Sequence, residues 1–164
     1  MADKVIVKWH DSFSVRVKLI DEQHKKLISL TNKLFSSCMS GHERTKTDSI
    51  FIEVVHEVVD YVDYHFSTEQ KIMERIDYPE YKIHKHQHVS FVKEVLIRVE
   101  EFSFGKVNTP LSFVYYLRDW ILQHIAVNDK KLGNYLMEMK RNGNLQQIVI
   151  KVKKDTETNK LQVV

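Results

Sequence analysis

The sequence predicts an all-α protein, an up-down-up-down antiparallel four-helix bundle with an N-terminal arm and a C-terminal β-hairpin. Two observations point to the bundle: four segments carry apolar residues at spacings of three and four, and the links between them are short. A third agrees with them, since the 164 residues include only 4 Gly and 2 Pro, which favours long helices over a turn-rich sheet. That length is one domain's worth of chain, enough to bury a single core.

Ile20, His24, Leu27, Thr31 and Leu34 share a face of the first helix. The second stripe runs through Ile50, Val54, Val58, Tyr61 or Val62, His65, Glu69 and Ile72. Pro79 fits the first turn of a third helix, whose stripe is His84, His88, Phe91 or Val92, Val95, Val99 and Phe102. Pro110 opens the fourth in the same way, with Phe113, Leu117, Trp120, His124 and Val127 in line. The links SGHERTKTD, IDYPEY and FGKVNTP are polar or carry Gly or Pro, so consecutive helices should lie antiparallel.

The two ends read differently. KVIVKW and QQIVIKVK (Gln146 to Lys153) alternate polar and apolar residues, a strand pattern. A lone hairpin is marginal in water, so IVIKVK is expected to pair with KVIVKW or with a second copy of the chain, giving a monomer or a homodimer. The division is then a bundle with its arm over 1–139 and an extension over 140–164.

Hydrophobic content of 43% and charged content of 29% are those of a globular protein. The formal charge of +3 is spread among acidic residues rather than gathered in a stripe, which argues against nucleic acid as partner. No leader pattern opens the chain and no apolar run approaches a membrane span, so a cytoplasmic protein is expected. The lone Cys38 fits a reducing compartment.

The stripes that should face the core each carry at least one histidine, and the second adds a glutamate. Such groups are costly to bury unless paired. His65 and Glu69 are four positions apart, as are His84 and His88, so each pair shares a helix face about 6 Å apart along the axis. His24 and His124 converge on the same centre once the bundle closes, which is how bundles assemble metal sites. Asp129 follows His124 by five positions, about 140° round a regular helix, so a π-type widening is expected between Trp120 and Asp129. His86, about 200° from His84, and His56 face away; His42 belongs to a link and His10 to the arm.

Five imidazoles and two carboxylates exceed what one four-coordinate zinc takes, and nitrogen with bridging oxygen suits iron. Two octahedral irons, two bridging carboxylates and an oxo or hydroxo bridge leave one coordination position empty. O2 entering there can take one electron from each ferrous ion and a proton from the bridging hydroxide. The site then holds hydroperoxide with no change in net charge, which keeps the reaction reversible in a buried place.

IDEQHKKL, HFSTE, YPEYKIHKHQH and WILQHIAVND, with Trp9 followed by SFSV, resemble the hemerythrin family, in particular bacterial hemerythrins, over roughly residues 9 to 138. The resemblance implies that His84, His88 and His124 hold one iron and His24 and His65 the other, with Glu69 and Asp129 bridging. It places O2 on the iron with two histidines, under an apolar pocket formed by Trp120, Ile121 and Leu122 with Ile28 and Phe66. The link SGHERTKTDS and everything after about Met139 depart from the family pattern. The expected role is reversible O2 carriage, storage or delivery rather than enzymology, since no nucleophile is paired with a base. The alternatives are an O2 or redox sensor, or a di-iron enzyme acting on NO or peroxide.

Overall fold

Helix α1 (Lys18–Cys38) opens the bundle in a computed structural model that describes residues 5–39, 44–103 and 110–143. No side chain caps it; Asp21, in its first turn, accepts from Val15 N (2.7 Å) and Ser14 Oγ (2.6 Å) and so fixes the chain's entry. The stripe from Ile20 to Leu34 is buried as expected, and Thr31 meets the core by donating its hydroxyl to Leu27 O at 2.9 Å.

Helix α2 (Arg44–Arg75) begins inside the stretch expected as a link. RTKTDS is polar but contains no Gly or Pro, so nothing in it stops a helix. At its far end Tyr78 N bonds Met73 O (2.9 Å) and Asp77 N bonds Glu74 O (3.4 Å), the paired bonds of a Schellman cap. Asp77 takes the left-handed position there at φ 49, where glycine is the usual choice.

Helix α3 (Tyr81–Ser103) follows. Its first bond runs from His84 N to Glu80 O (3.0 Å), so Pro79 sits just before the cap and not in the first turn as expected. The Schellman exit of α2, continued by a turn from Tyr81 N to Tyr78 O, occupies that place.

The expected fourth helix is one rod in three pieces: α4 (Pro110–His124), a π-helical segment (Ile125–Asp129) and α5 (Lys130–Arg141). It passes the boundary drawn at residue 139 and ends at Gly143, whose φ of 75 suits glycine. Lys130 N bonds Ile125 O, five residues back, which is the widening expected between Trp120 and Asp129. The widening also corrects the stripe. Val127, expected inside, is 39% exposed, while Asp129 is fully buried.

The N-terminal arm forms no strand; it turns through a short 3-10 helix at Asp11–Phe13 after a stretch without regular structure. Ile6 N and Val7 N both donate to Asn32 Oδ1 (3.0 and 3.1 Å), and Asn32 Nδ2 returns a bond to Val7 O (2.8 Å). One side chain on α1 thus takes the backbone groups that a partner strand would have taken, which is why alternation misread this segment. Farther along, Lys130 Nζ bonds Ser12 O (3.2 Å) and Ser14 O. A Cβ on Gly133 would stand 2.3 Å from Val15 O, so α5 needs glycine where the arm crosses it. No strand occurs among the described residues, and the expected C-terminal hairpin lies outside them.

Two apolar clusters fill the interior. The larger contains Leu27, Phe66, Phe91, Leu117 and Ile125; the smaller contains Val15, Ile20, Met73, Tyr78, Leu132 and Leu136. Most of the chemistry-bearing residues fall between the two, as His24 does between Ile20 and Leu27, Glu69 between Phe66 and Met73, and Asp129 between Ile125 and Leu132, while His65 and His124 stand among the last members of the larger cluster. No described helix is long and apolar enough to cross a membrane.

Candidate metal centre

Seven polar side chains form the layer between the clusters: His24, His65, Glu69, His84, His88, His124 and Asp129, none more than 4% exposed. The four-residue spacings on α2 and α3 aim His65 with Glu69, and His84 with His88, from one face of each helix. The π segment turns Asp129 to the same centre as His124.

The donors fall into two groups, each drawn within 4.8 Å: Glu69, His84, His88, His124 and Asp129 in one, His24, His65, Glu69 and Asp129 in the other. Both carboxylates belong to both. Asp129 Oδ1 lies 3.2 Å from His84 Nε2 and 3.1 Å from His124 Nε2, while its Oδ2 lies 3.0 Å from His24 Nε2. Glu69 Oε2 lies 3.4, 3.3 and 3.9 Å from the Nε2 atoms of His84, His88 and His65.

Hydrogen bonding alone does not account for this packing. His24 Nε2 and all four carboxylate oxygens have no partner of acceptable geometry among the described residues, although they are fully buried. Orphaned carboxylates of this kind cost several kcal/mol. His124 Nε2 also lies 3.0 Å from His84 Nε2 and 2.9 Å from His88 Nε2. Adjacent donors at ~2.1 Å from one octahedral cation are ~3.0 Å apart, so these spacings fit an ion among them.

Protonation favours the same use. Burial and the charge of Asp129 push the Glu69 carboxyl up, but His65, His84 and His88 outweigh them and hold it at about 2. Asp129 is likewise held well below the usual carboxylate range, where His124, His24 and His84 prevail over burial. Burial keeps His88 neutral, down to about 4, and lowers His65 as well. Burial also opposes charge on His84, but the nearby Asp129 and Glu69 carboxylates raise it to about 9. Without metal, then, the cluster holds ionised carboxylates at Glu69 and Asp129, neutral imidazoles at His65 and His88, and a proton on His84 that a cation would displace.

Around this layer lie residues that the sequence reading missed. Gln23, 3% exposed, accepts from His65 Nδ1 through Oε1 (3.0 Å), leaving Nε2 of that ring free to ligate. Its Nε2 donates to Thr68 Oγ1 at 3.2 Å. The carboxamides of Asn128 and Gln70 lie 3.2 and 3.5 Å from the Nδ1 atoms of His124 and His88. A signal existed for Gln23, which sits three after Ile20 and four before Leu27 and so belongs to the buried stripe.

A cavity of about 10 Å³, room for roughly one water-sized molecule, opens beside the layer. His65, His124 and Asp129 reach it, and its apolar wall includes Leu27, Val62, Phe66, Phe91, Trp120 and Ile121. Phe66 stacks on His88 (3.7 Å, 4°) and Trp120 on His124 (4.4 Å, 12°). Of the five residues expected to form the pocket, Phe66, Trp120 and Ile121 line it. Ile28 is buried and Leu122 half-buried, and neither is on the wall. His10, His56 and His86 are exposed, and His42 lies outside the described residues.

Fold and site together define a helical-bundle protein built around a cation-binding core. The chain belongs to the hemerythrin family: the family described as Hemerythrin HHE cation binding domain matches residues 15–136. It is 27% identical over 124 residues to a bacteriohemerythrin of Clostridium acetobutylicum, covering 75% of this chain and 95% of that one. A bacteriohemerythrin of Stenotrophomonas maltophilia is 30% identical over 126 residues, covering 76% and 78%. A crystal structure of wild-type hemerythrin superposes with a TM-score of 0.72 at 26% identity, over 79% of this chain and 97% of that one.

Proposed function

We propose that the chain binds O2 reversibly at a non-haem di-iron centre, for carriage, storage or delivery. The observation that carries this reading is the unequal division of the donors, five in one group and four in the other, beside an apolar cavity that His65 and His124 both reach. His84, His88 and His124 would hold one iron, His24 and His65 the other, and Glu69 and Asp129 would bridge them beside an oxo or hydroxo group. Two ferrous ions supply the two electrons and the open coordination position that reversible O2 binding needs.

The residues of this chain do the rest. Gln23 orients His65 by accepting its Nδ1 proton. Phe66 and Trp120 fix the ring planes of His88 and His124. The apolar cavity wall excludes water, so stray protons do not reach a bound ligand. The donor set favours binding over turnover, because five neutral imidazoles with two carboxylates differ from the carboxylate-rich set of ferritin-like di-iron proteins.

The test is spectroscopic. The iron-loaded protein, reduced without air, is expected to gain visible absorption when O2 is admitted and to lose it when O2 is withdrawn. Rapid irreversible oxidation instead would favour a di-iron enzyme acting on NO or peroxide.

A further inference from the structure

A second apolar hollow lies between α2 and α3, outside the donor layer. Val59, Val92 and Leu96 are its half-buried or exposed members, and Val58, Val95 and Leu117 are buried beneath them. Its free space is about 10 Å³, again roughly one small molecule. Val62 and Phe91 line both this hollow and the cavity that His65 and His124 reach. A single layer of side chains therefore separates the outer space from the inner one.

Every residue on the outer wall is apolar. Water gains no hydrogen bond there, and a charged or polar solute would lose its hydration without replacement. An uncharged diatomic gas forfeits almost nothing. Phe91 is fixed from behind, stacked on Trp120 at 3.8 Å and edge-on to Phe66 at 5.9 Å. Val62 is the smaller member of the shared wall, and α2 packs less extensively on α3 than on α1, so the wall can part there.

We propose that this hollow is the entry vestibule for a small apolar gas, O2 in particular, and that Val62 with Phe91 is the gate into the inner cavity. Its purpose rests on the O2-binding reading above; the site itself does not. A vestibule lies on the path and not in the bound state, so changing it alters entry and exit together.

Two measurements test this on the iron-loaded protein. Crystals held under xenon pressure should show xenon between Val59, Val92 and Leu96. Rapid-mixing kinetics should show Val59→Phe slowing O2 association and dissociation alike, several-fold, with the equilibrium affinity unchanged. Val62→Ala should speed association several-fold, at iron content equal to the parent in both variants. Xenon absent from the hollow overturns the proposal, and so do association rates that neither substitution moves. If O2 proves not to bind reversibly, the function proposed above fails, while xenon still decides whether the hollow takes an apolar gas.

Discussion

The two halves of the buried donor layer are built from the same kinds of residue and differ in what surrounds them. The five-donor half has three imidazoles, two of them pressed flat against Phe66 and Trp120. The four-donor half has two imidazoles, one of them held by Gln23, and the cavity is reached from both halves, by His65 here and by His124 in the other. The unequal donor count follows from which helix positions carry histidine: α3 supplies two, and α1, α2 and α4 one each. No flexible loop is needed to create it.

The largest test of the comparison removes what the halves share. Asp129→Ala takes a donor from both groups, so iron content should fall from two per chain to near zero. Retention of two irons would mean that the π segment does not deliver Asp129 to the metals. His24→Ala strikes only the smaller half, leaving it three donors, and should bring the content to about one. His86→Ala, at an exposed position, should leave it at two. Equal losses in these last two variants would break the division into halves.

A smaller effect is expected at Gln23. Gln23→Leu deprives His65 Nδ1 of its acceptor without touching a donor, and partners of this kind are worth about 10- to 100-fold in metal affinity. In a chelator titration one iron of the pair should leave earlier than in the parent while the other leaves unchanged. Simultaneous loss of both would show that the amide supports the fold as a whole rather than one half.

How much of this was legible in the sequence depended on whether a feature was periodic. The bundle and the seven buried polar residues lie at helical spacing, and even the irregular Asp129 declared itself by arriving one residue late. That same extra residue defeated the expectation for Val127, since a stripe projected through the widened turn comes out on the wrong side. The arm misled because alternation reports a half-buried extended chain, and here Asn32 stands in for a sheet. Leu122 was drawn into the pocket by its place just before His124, and Ile28 as a candidate on a neighbouring helix, whereas Phe91, Val62 and Leu27 line it. Such walls depend on how helices pack, which no single stripe records.

The last effect is the smallest and concerns the metal-free protein, where the halves differ in charge. His84, in the five-donor half, is raised to about 9 by Asp129 and Glu69 against the cost of burial. A raised base stabilises the fold fully below its unfolded value of ~6.5 and loses that contribution as pH climbs through about 9. His88 is lowered to about 4 by burial, so its contribution is complete above ~6.5 and fades as pH falls toward 4. Glu69, held at about 2, contributes above ~4.3 and fades below that. The melting temperature of the apoprotein should therefore peak near pH 6.5 and decline on both sides. Iron requires a neutral His84, so loading the metal removes the proton responsible for the alkaline limb. A holoprotein melting curve flat through pH 9 beside a sloping apoprotein curve is the expected pair; parallel slopes would mean that His84 does not hold the proton that the metal displaces.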